Sequence, residues 1–249
     1  MTRSLEGRVV LVTRPRGQGG ELGRLLRERG ATAVAAPTIE LHPAEDDEEL
    51  ARSVVGLAGG RFSWLVVTSG AGVEALARAG MGPVEAKVAA VGEGTARALR
   101  GRGVEPALVP STYTTEALAE AMPEGVGEVL LARADIAPDG LEDALAAKGW
   151  TPVRVDAYRT ALVRELPEEA RRLLDEGGVD AVTFTSASTV EGFAGLARPA
   201  RWPRVVCIGP VTAERARRAG IPVDAVAEPH TIEGLVAALE RVLGPSSKE

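Results

Sequence analysis

The chain has 249 residues, 45% hydrophobic and 3% aromatic, with a formal net charge of −6. No apolar run reaches the roughly 18 residues of a membrane-spanning helix, and the opening Met1-Thr2-Arg3-Ser4-Leu5-Glu6 lacks an apolar stretch of signal-peptide length, so a soluble cytoplasmic protein is expected. An excess of acidic over basic residues argues against a nucleic-acid partner, which needs a basic face.

From the amino terminus, Val-rich runs of strand length alternate with amphipathic stretches. Strands are predicted at 8–13, 32–36, 64–68, 88–91 and 107–109, then at 128–132, 152–156, 181–185, 205–208 and 224–226. Helices are predicted at 20–29, 73–78, 95–102, 141–148, 213–218 and 232–243. The strands are apolar on both faces, as parallel strands covered on both sides are. Their alternation with helices predicts βαβ units. The lone cysteine, Cys207, lies inside such a run and is expected to be a buried, inert thiol.

The second half repeats the first. Thr68-Ser69 matches Thr185-Ser186, Gly92 matches Gly209, Thr95-Ala96 matches Thr212-Ala213 and Thr114 matches Thr231, always 117 apart (185 − 68 = 117). A second block, opening Gly7-Arg8-Val9 and closing at Gly30, matches one opening Gly127-Glu128-Val129 and closing at Gly149, where the offset is 120 at the opening (127 − 7 = 120) and 119 at the close (149 − 30 = 119). So long a period means a duplicated domain, not a solenoid. The expected architecture is α/β: two flavodoxin-like doubly wound parallel-sheet lobes, facing each other across a cleft and joined by a two-stranded β linker.

Two stretches break the compact rhythm, 37–43 and 157–163, and the same 119 offset carries Pro37 to Asp156 and Leu41 to Thr160. Each extends a strand and then reaches a helix that opens with acids, at 46–49 and 165–169. They predict hinge strands between a discontinuous lobe of 1–36 plus 164–249 and a second lobe of 44–156. Two consecutive lobes joined once near 123–127 is the other arrangement; the paired extensions favour two crossings.

In open α/β sheets ligands bind beyond the carboxyl ends of the strands, where helix N-termini present free N–H groups. Those ends carry Thr13-Arg14-Pro15-Arg16, Thr68-Ser69-Gly70, Gly92-Glu93-Gly94-Thr95, Ser111-Thr112-Tyr113-Thr114, Arg133-Ala134-Asp135, Thr185-Ser186-Ala187-Ser188, Gly209-Pro210-Val211-Thr212 and His230-Thr231. Helix capping explains hydroxyls and glycines there equally well, and it suffices for Thr114 and Thr231. Thr68-Ser69 and Thr185-Ser186 keep two hydroxyls each, more than one cap requires.

The third glycine after the first strand falls one place late for a dinucleotide fingerprint, and no P-loop or nucleophile elbow exists. With only His42, His230 and Cys207, neither a metal site nor a Ser-His-Asp triad is expected. What remains is backbone amides, hydroxyls and Arg14, Arg16, Arg133 and Arg159, a surface suited to carboxylates. Surface solvation or ion pairing is the plainer explanation for each arginine. Tyr158, one of two tyrosines, falls in the second hinge stretch. It is either a packing aromatic or a phenol that donates a proton or hydrogen bond.

These residues resemble the uroporphyrinogen-III synthase family. The resemblance runs over Val12-Thr13-Arg14-Pro15, Pro37-Thr38-Ile39, Val66-Val67-Thr68-Ser69 and Ala90-Val91-Gly92-Glu93-Gly94-Thr95-Ala96. It continues with Asp156-Ala157-Tyr158-Arg159-Thr160, Thr183-Phe184-Thr185-Ser186 and Cys207-Ile208-Gly209-Pro210-Val211-Thr212-Ala213. It implies two flavodoxin-like lobes joined by a β ladder in a cofactor-free monomer, closing the linear tetrapyrrole hydroxymethylbilane with inversion of ring D. It also implies Tyr158 as the acid assisting hydroxyl departure. The substrate's carboxylates would be held by Arg14, Thr68, Ser69, Gly92, Thr95, Arg133, Ser186, Ala187, Ser188, Gly209 and Thr212. The rivals are a non-catalytic binding protein for a small polycarboxylate and, disfavoured by the glycine spacing, a nucleotide-using transferase.

Overall fold

The computed structural model describes residues 3–244. In chain order the elements are β1 (Val9–Val12), α1 (Gly20–Glu28), β2 (Thr32–Ala35), β3 (Ile39–Pro43), α2 (Asp47–Ala58), β4 (Phe62–Val67) and α3 (Gly70–Arg78). Then follow β5 (Lys87–Ala90), α4 (Glu93–Arg100), α5 (Thr115–Ala121), β6 (Glu128–Ala134), α6 (Gly140–Ala147) and β7 (Thr151–Leu162). The chain continues with α7 (Glu168–Asp175), β8 (Ala181–Phe184), α8 (Ala187–Leu196), β9 (Arg204–Cys207), α9 (Pro210–Arg218), β10 (Ala225–Val226) and α10 (Ile232–Leu243). Among the described residues, no helix is long and apolar enough to cross a membrane.

Two compact units result. One joins the residues up to Glu40 to those from Ala161 onward; the other is Leu41–Thr160. The first holds a sheet of order β10-β9-β8-β1-β2, its registered pairs parallel. On one face Leu11, Val182, Phe184 and Val205 pack with α7, α8 and α9 through Ala170, Val190, Phe193 and Ala213. On the other, Val10, Val12 and Val206 pack with α1 and α10 through Leu22, Leu26, Leu235 and Leu239. Alternate residues of one strand thus feed opposite cores, which is why the strands read as apolar throughout.

The second sheet has the order β3-β7-β6-β4-β5. Leu65, Val67, Val88 and Leu130 face α2, α3 and α4, while Trp64, Val66, Val129 and Leu131 face α5 and α6. The duplication maps onto these sheets element by element. At the 117 offset Lys87–Ala90 becomes Arg204–Cys207, and the first residues of α3 and α4 become those of α8 and α9. At the 119 offset the starts of β1 and β2 become those of β6 and β7.

Two elements differ from the sequence reading. The run 107–109 forms no strand; Leu108 makes an isolated bridge to Ala89. Pro106 and Pro110, which have no N–H, bracket it and keep the pairing from extending beyond the bonds that Ala107 and Leu108 make with Val88 and Ala90. Residues 39–43 form a strand of their own after a break at Ala36-Pro37-Thr38, rather than extending β2.

Candidate functional site

In the second unit, β4 delivers Thr68 and Ser69 to the start of α3. Ser69 is the extended N-cap residue, and its Oγ accepts from the Gly72 N–H at 3.1 Å. The same oxygen lies 2.9 Å from the Tyr158 hydroxyl. A bulge makes that meeting possible. Arg133 pairs with Asp156 but Ala134 pairs with Tyr158, so Ala157 is an extra residue in β7. Unbulged alternation would put residue 158 on the face of Asp156; the insertion turns Tyr158 onto the α3 face instead.

Backbone bonds pin this arrangement. The Asp135 N–H donates to the Tyr158 carbonyl at 3.1 Å, and Asp135 Oδ1 accepts from the Thr160 N–H at 3.0 Å. The Arg154 guanidinium donates to the carbonyls of Ala134, Asp135 and Ala137 and to the Asp139 carboxylate, bracing the turn after β6. Burial pushes the Tyr158 phenol above its ordinary pKa; the Ser69 hydrogen bond opposes this, Asp135 adds to it and Arg133 opposes it. The group is therefore a neutral donor at physiological pH.

Beside it, Gly92 is the N-cap of α4, with Thr95 buried in the helix's first turn. Thr114 caps α5 by accepting from Ala117, the helix-end role expected of it. Arg133, expected to hold substrate, does not reach the surface: it is 2% exposed, and its Nη1 bonds Glu142 at 2.6 Å and the Pro138 carbonyl at 2.8 Å. It shares the face of Val129 and Leu131, which α6 covers, so period-2 geometry sends the charge inward, where Glu142 neutralises it. Arg159 pairs with Glu45, and Arg16 is exposed.

In the first unit the equivalent end carries Ser186 as N-cap of α8. Its hydroxyl accepts from the Thr189 N–H, Thr189 Oγ1 accepts from the Ser186 N–H, and Ser188 Oγ lies 2.9 Å from Ser186 Oγ. Ala187 offers a backbone N–H in the first turn. Gly209 caps α9, with Thr212 buried behind it. Thr231 caps α10 by accepting from Gly234. Arg14, just beyond β1, has a buried Nε with no hydrogen-bond partner, and desolvation pulls its pKa down against the opposing charge of Glu21. A half-buried cation with an unused donor favours an anion.

The structure thus brings Thr68, Ser69 and Tyr158 to one strand end and Arg14, Ser186, Ala187 and Ser188 to the ends of neighbouring strands β1 and β8. The sequence reading overlooked Gly72, Arg154 and the packing of Tyr113 on Gly92. One signal was present: Tyr113 and His230 are themselves 117 apart (230 − 113 = 117), each just before a threonine cap.

Fold and site together define a mixed α/β protein with two parallel-rich sheets whose strand ends carry hydroxyls and helix N–H groups. Within that class the chain belongs to the uroporphyrinogen-III synthase family, whose model, described as Uroporphyrinogen-III synthase HemD, matches residues 20–237. It is 32% identical over 256 residues to the porphyrin biosynthesis protein HemD of Ruminiclostridium josui, covering 98% of this chain but only 50% of that longer protein. It is 28% identical over 255 residues to the uroporphyrinogen-III synthase of Synechococcus elongatus, covering 95% of this chain and 96% of the relative. A crystal structure of a mutant uroporphyrinogen III synthase from the extremely thermophilic bacterium Thermus thermophilus superposes with a TM-score of 0.65 at 26% identity, covering 95% and 98% of the two chains.

Proposed function

We propose that this protein is a uroporphyrinogen-III synthase, converting hydroxymethylbilane to uroporphyrinogen III with loss of one water. Family membership over nearly the whole chain supports the reaction. The observation that carries the chemistry is the Tyr158 hydroxyl 2.9 Å from Ser69 at the α3 N-terminus.

The reaction asks little of strong acids or bases. The pyrrole nitrogen pushes out the hydroxymethyl oxygen, and Tyr158 delivers a proton to that oxygen as the C–O bond breaks. The resulting cation attacks the substituted carbon of the last pyrrole to give a spiro intermediate. Fragmentation and reclosure then invert ring D. The proton lost when the ring regains aromaticity restores the phenol. Because closure without inversion is the spontaneous course, the main task is positioning. Helix N–H groups, with Thr68, Ser186, Ser188 and Arg14, suit the holding of acetate and propionate side chains.

We read each unit as a flavodoxin-like doubly wound domain. The strand order within the first unit supports this, with β1 beside β2 and β8, β9 and β10 extending the other way. Residues 39–43 and 157–163 we take as the linker strands. The same reading takes the protein as a cytoplasmic, cofactor-free monomer.

Freshly generated hydroxymethylbilane tests the proposal: type III product in excess of type I is the expected result, and type I alone would reject it. Tyr158→Phe is expected to lower turnover by about 10²-fold or less, because a phenol is a weak acid. Unchanged turnover would remove Tyr158 from the mechanism.

A further inference from the structure

The duplicated caps have diverged in one telling respect. Ser186 and Ser69 occupy equivalent N-cap positions, 117 residues apart, and Thr189 and Gly72 occupy the equivalent third helical positions (189 − 72 = 117). In the first unit Thr189 closes a reciprocal capping box, and Ser186 Oγ also meets Ser188 and Thr189 side chains. Its hydroxyl is thus used within its own turn. In the second unit residue 72 has no side chain to compete. A β-carbon there would stand 3.2 Å from both the Ala132 carbonyl oxygen and Val67 Cγ1, so glycine is held by close packing. Ser69 keeps the Gly72 N–H as donor to its oxygen and turns the remainder of its hydroxyl to Tyr158.

We propose that Ser69 is the positioning residue for the Tyr158 acid, donating its hydroxyl proton to the phenol oxygen so that the phenolic proton is directed to the leaving hydroxyl. A serine hydroxyl has one donor and two acceptor sites. With the Gly72 N–H on an acceptor site, the donor is available to Tyr158. As the phenol gives up its proton, Ser69 remains protonated and its hydrogen bond strengthens against the growing phenolate. The Gly72 N–H and the start of the nine-residue helix α3 polarise it further. The phenolate regains its proton from the rearomatising ring, so protons balance and no other reactant is needed. This inference rests on the synthase reading above, and it gives the Ser69 hydroxyl a task other than holding carboxylate.

The protein contains two tyrosines. In a Tyr113→Phe background, near-ultraviolet absorbance therefore titrates Tyr158 alone. Ser69→Ala should raise that pKa and lower kcat by about tenfold or more, the worth of one hydrogen bond to a charged group, with little change in KM. Ser69→Thr should restore both. Ser69→Asp keeps the α3 cap but replaces the donor with a negative charge, so it should raise the phenol pKa furthest while leaving the thermal melt close to wild type. In a Tyr158→Phe background, Ser69→Ala should add no further loss of kcat. The inference is overturned if the tyrosine titration is the same in all Ser69 variants, or if Ser69→Ala costs equal factors in both backgrounds. Failure of the synthase reading looks different: no type III product forms, yet the titration still reports the Ser69–Tyr158 coupling.

Discussion

The Tyr113 ring lies directly over Gly92: a β-carbon on residue 92 would stand 2.7 Å from Tyr113 Cγ and 2.9 Å from its Cβ. The backbone at Gly92 is extended, so the requirement is spatial, not conformational. At the equivalent site in the other unit, a β-carbon on Gly209 would be 3.8 Å from the His230 ring, an ordinary contact. Gly92→Ala should therefore destabilise the protein by about 1–3 kcal/mol, as overpacking does. Gly209→Ala should cost only about 0.5–1 kcal/mol, the difference between glycine and alanine as caps, which Gly92→Ala bears in addition to its overpacking. Urea unfolding of the two variants side by side decides it, and equal losses would contradict the packing argument.

Arg133 and Glu142 form a pair in which both partners are withdrawn from solvent, at 2% and 14% side-chain exposure. Removing Arg133 leaves the Glu142 carboxylate only the longer 3.9 Å contact with Arg154, so Arg133→Met should cost about 2–3 kcal/mol. The double variant Arg133→Met, Glu142→Leu should recover most of that loss, because two apolar groups need no pairing. A double variant as unstable as the single one would show that packing of the guanidinium, not charge balance, is what matters.

The contrast between Arg133 and its neighbours marks the limit of what sequence discloses. A continuous apolar run revealed β6, an amphipathic stretch revealed α6, and the 117 and 119 offsets revealed the equivalence of strand ends. They could not say which face of β6 α6 covers, so an arginine at a strand end read as a ligand for carboxylates. Tyr158 was singled out for its place in the chain, but its partner Ser69 lies 89 residues away. That pairing depends on the bulge at Ala157, which leaves no mark in an Asp-Ala-Tyr-Arg run. Simple alternation from Val153 and Val155 sends residue 158 to the wrong face.

Cys207 is fully buried in β9, and desolvation pushes its thiol up to about 12, only partly opposed by Arg217. It should not react with a disulfide reagent at neutral pH unless the protein is unfolded. Its folded-state pKa is raised above the ordinary 9.0. Its contribution to stability is thus intact below that value and is lost as pH rises through it towards 12. The wild type should lose stability across this window faster than Cys207→Ala. Parallel alkaline unfolding curves for the two proteins would refute the assignment.

The phenol of Tyr158 provides the test at the site itself. Its pKa is raised above 10.0, mainly by burial, so the protonated form needed to donate to a leaving oxygen persists to at least that pH. The sign is fixed: raising pH can only deplete the acid, and burial moves that depletion to higher pH than for a free phenol. The ratio of kcat between wild type and Tyr158→Phe should therefore stay constant between about pH 7 and 9.5. Spontaneous closure of the bilane is subtracted at each pH by following type III product alone. Had the phenol been activated by a neighbouring cation, its pKa would be depressed and the ratio would decay near neutrality. Arg133 is the cation acting on this phenol in that direction, and its influence is smaller than that of desolvation. A ratio that falls steadily from about pH 8 would mean that the phenol ionises early and donates no proton in turnover.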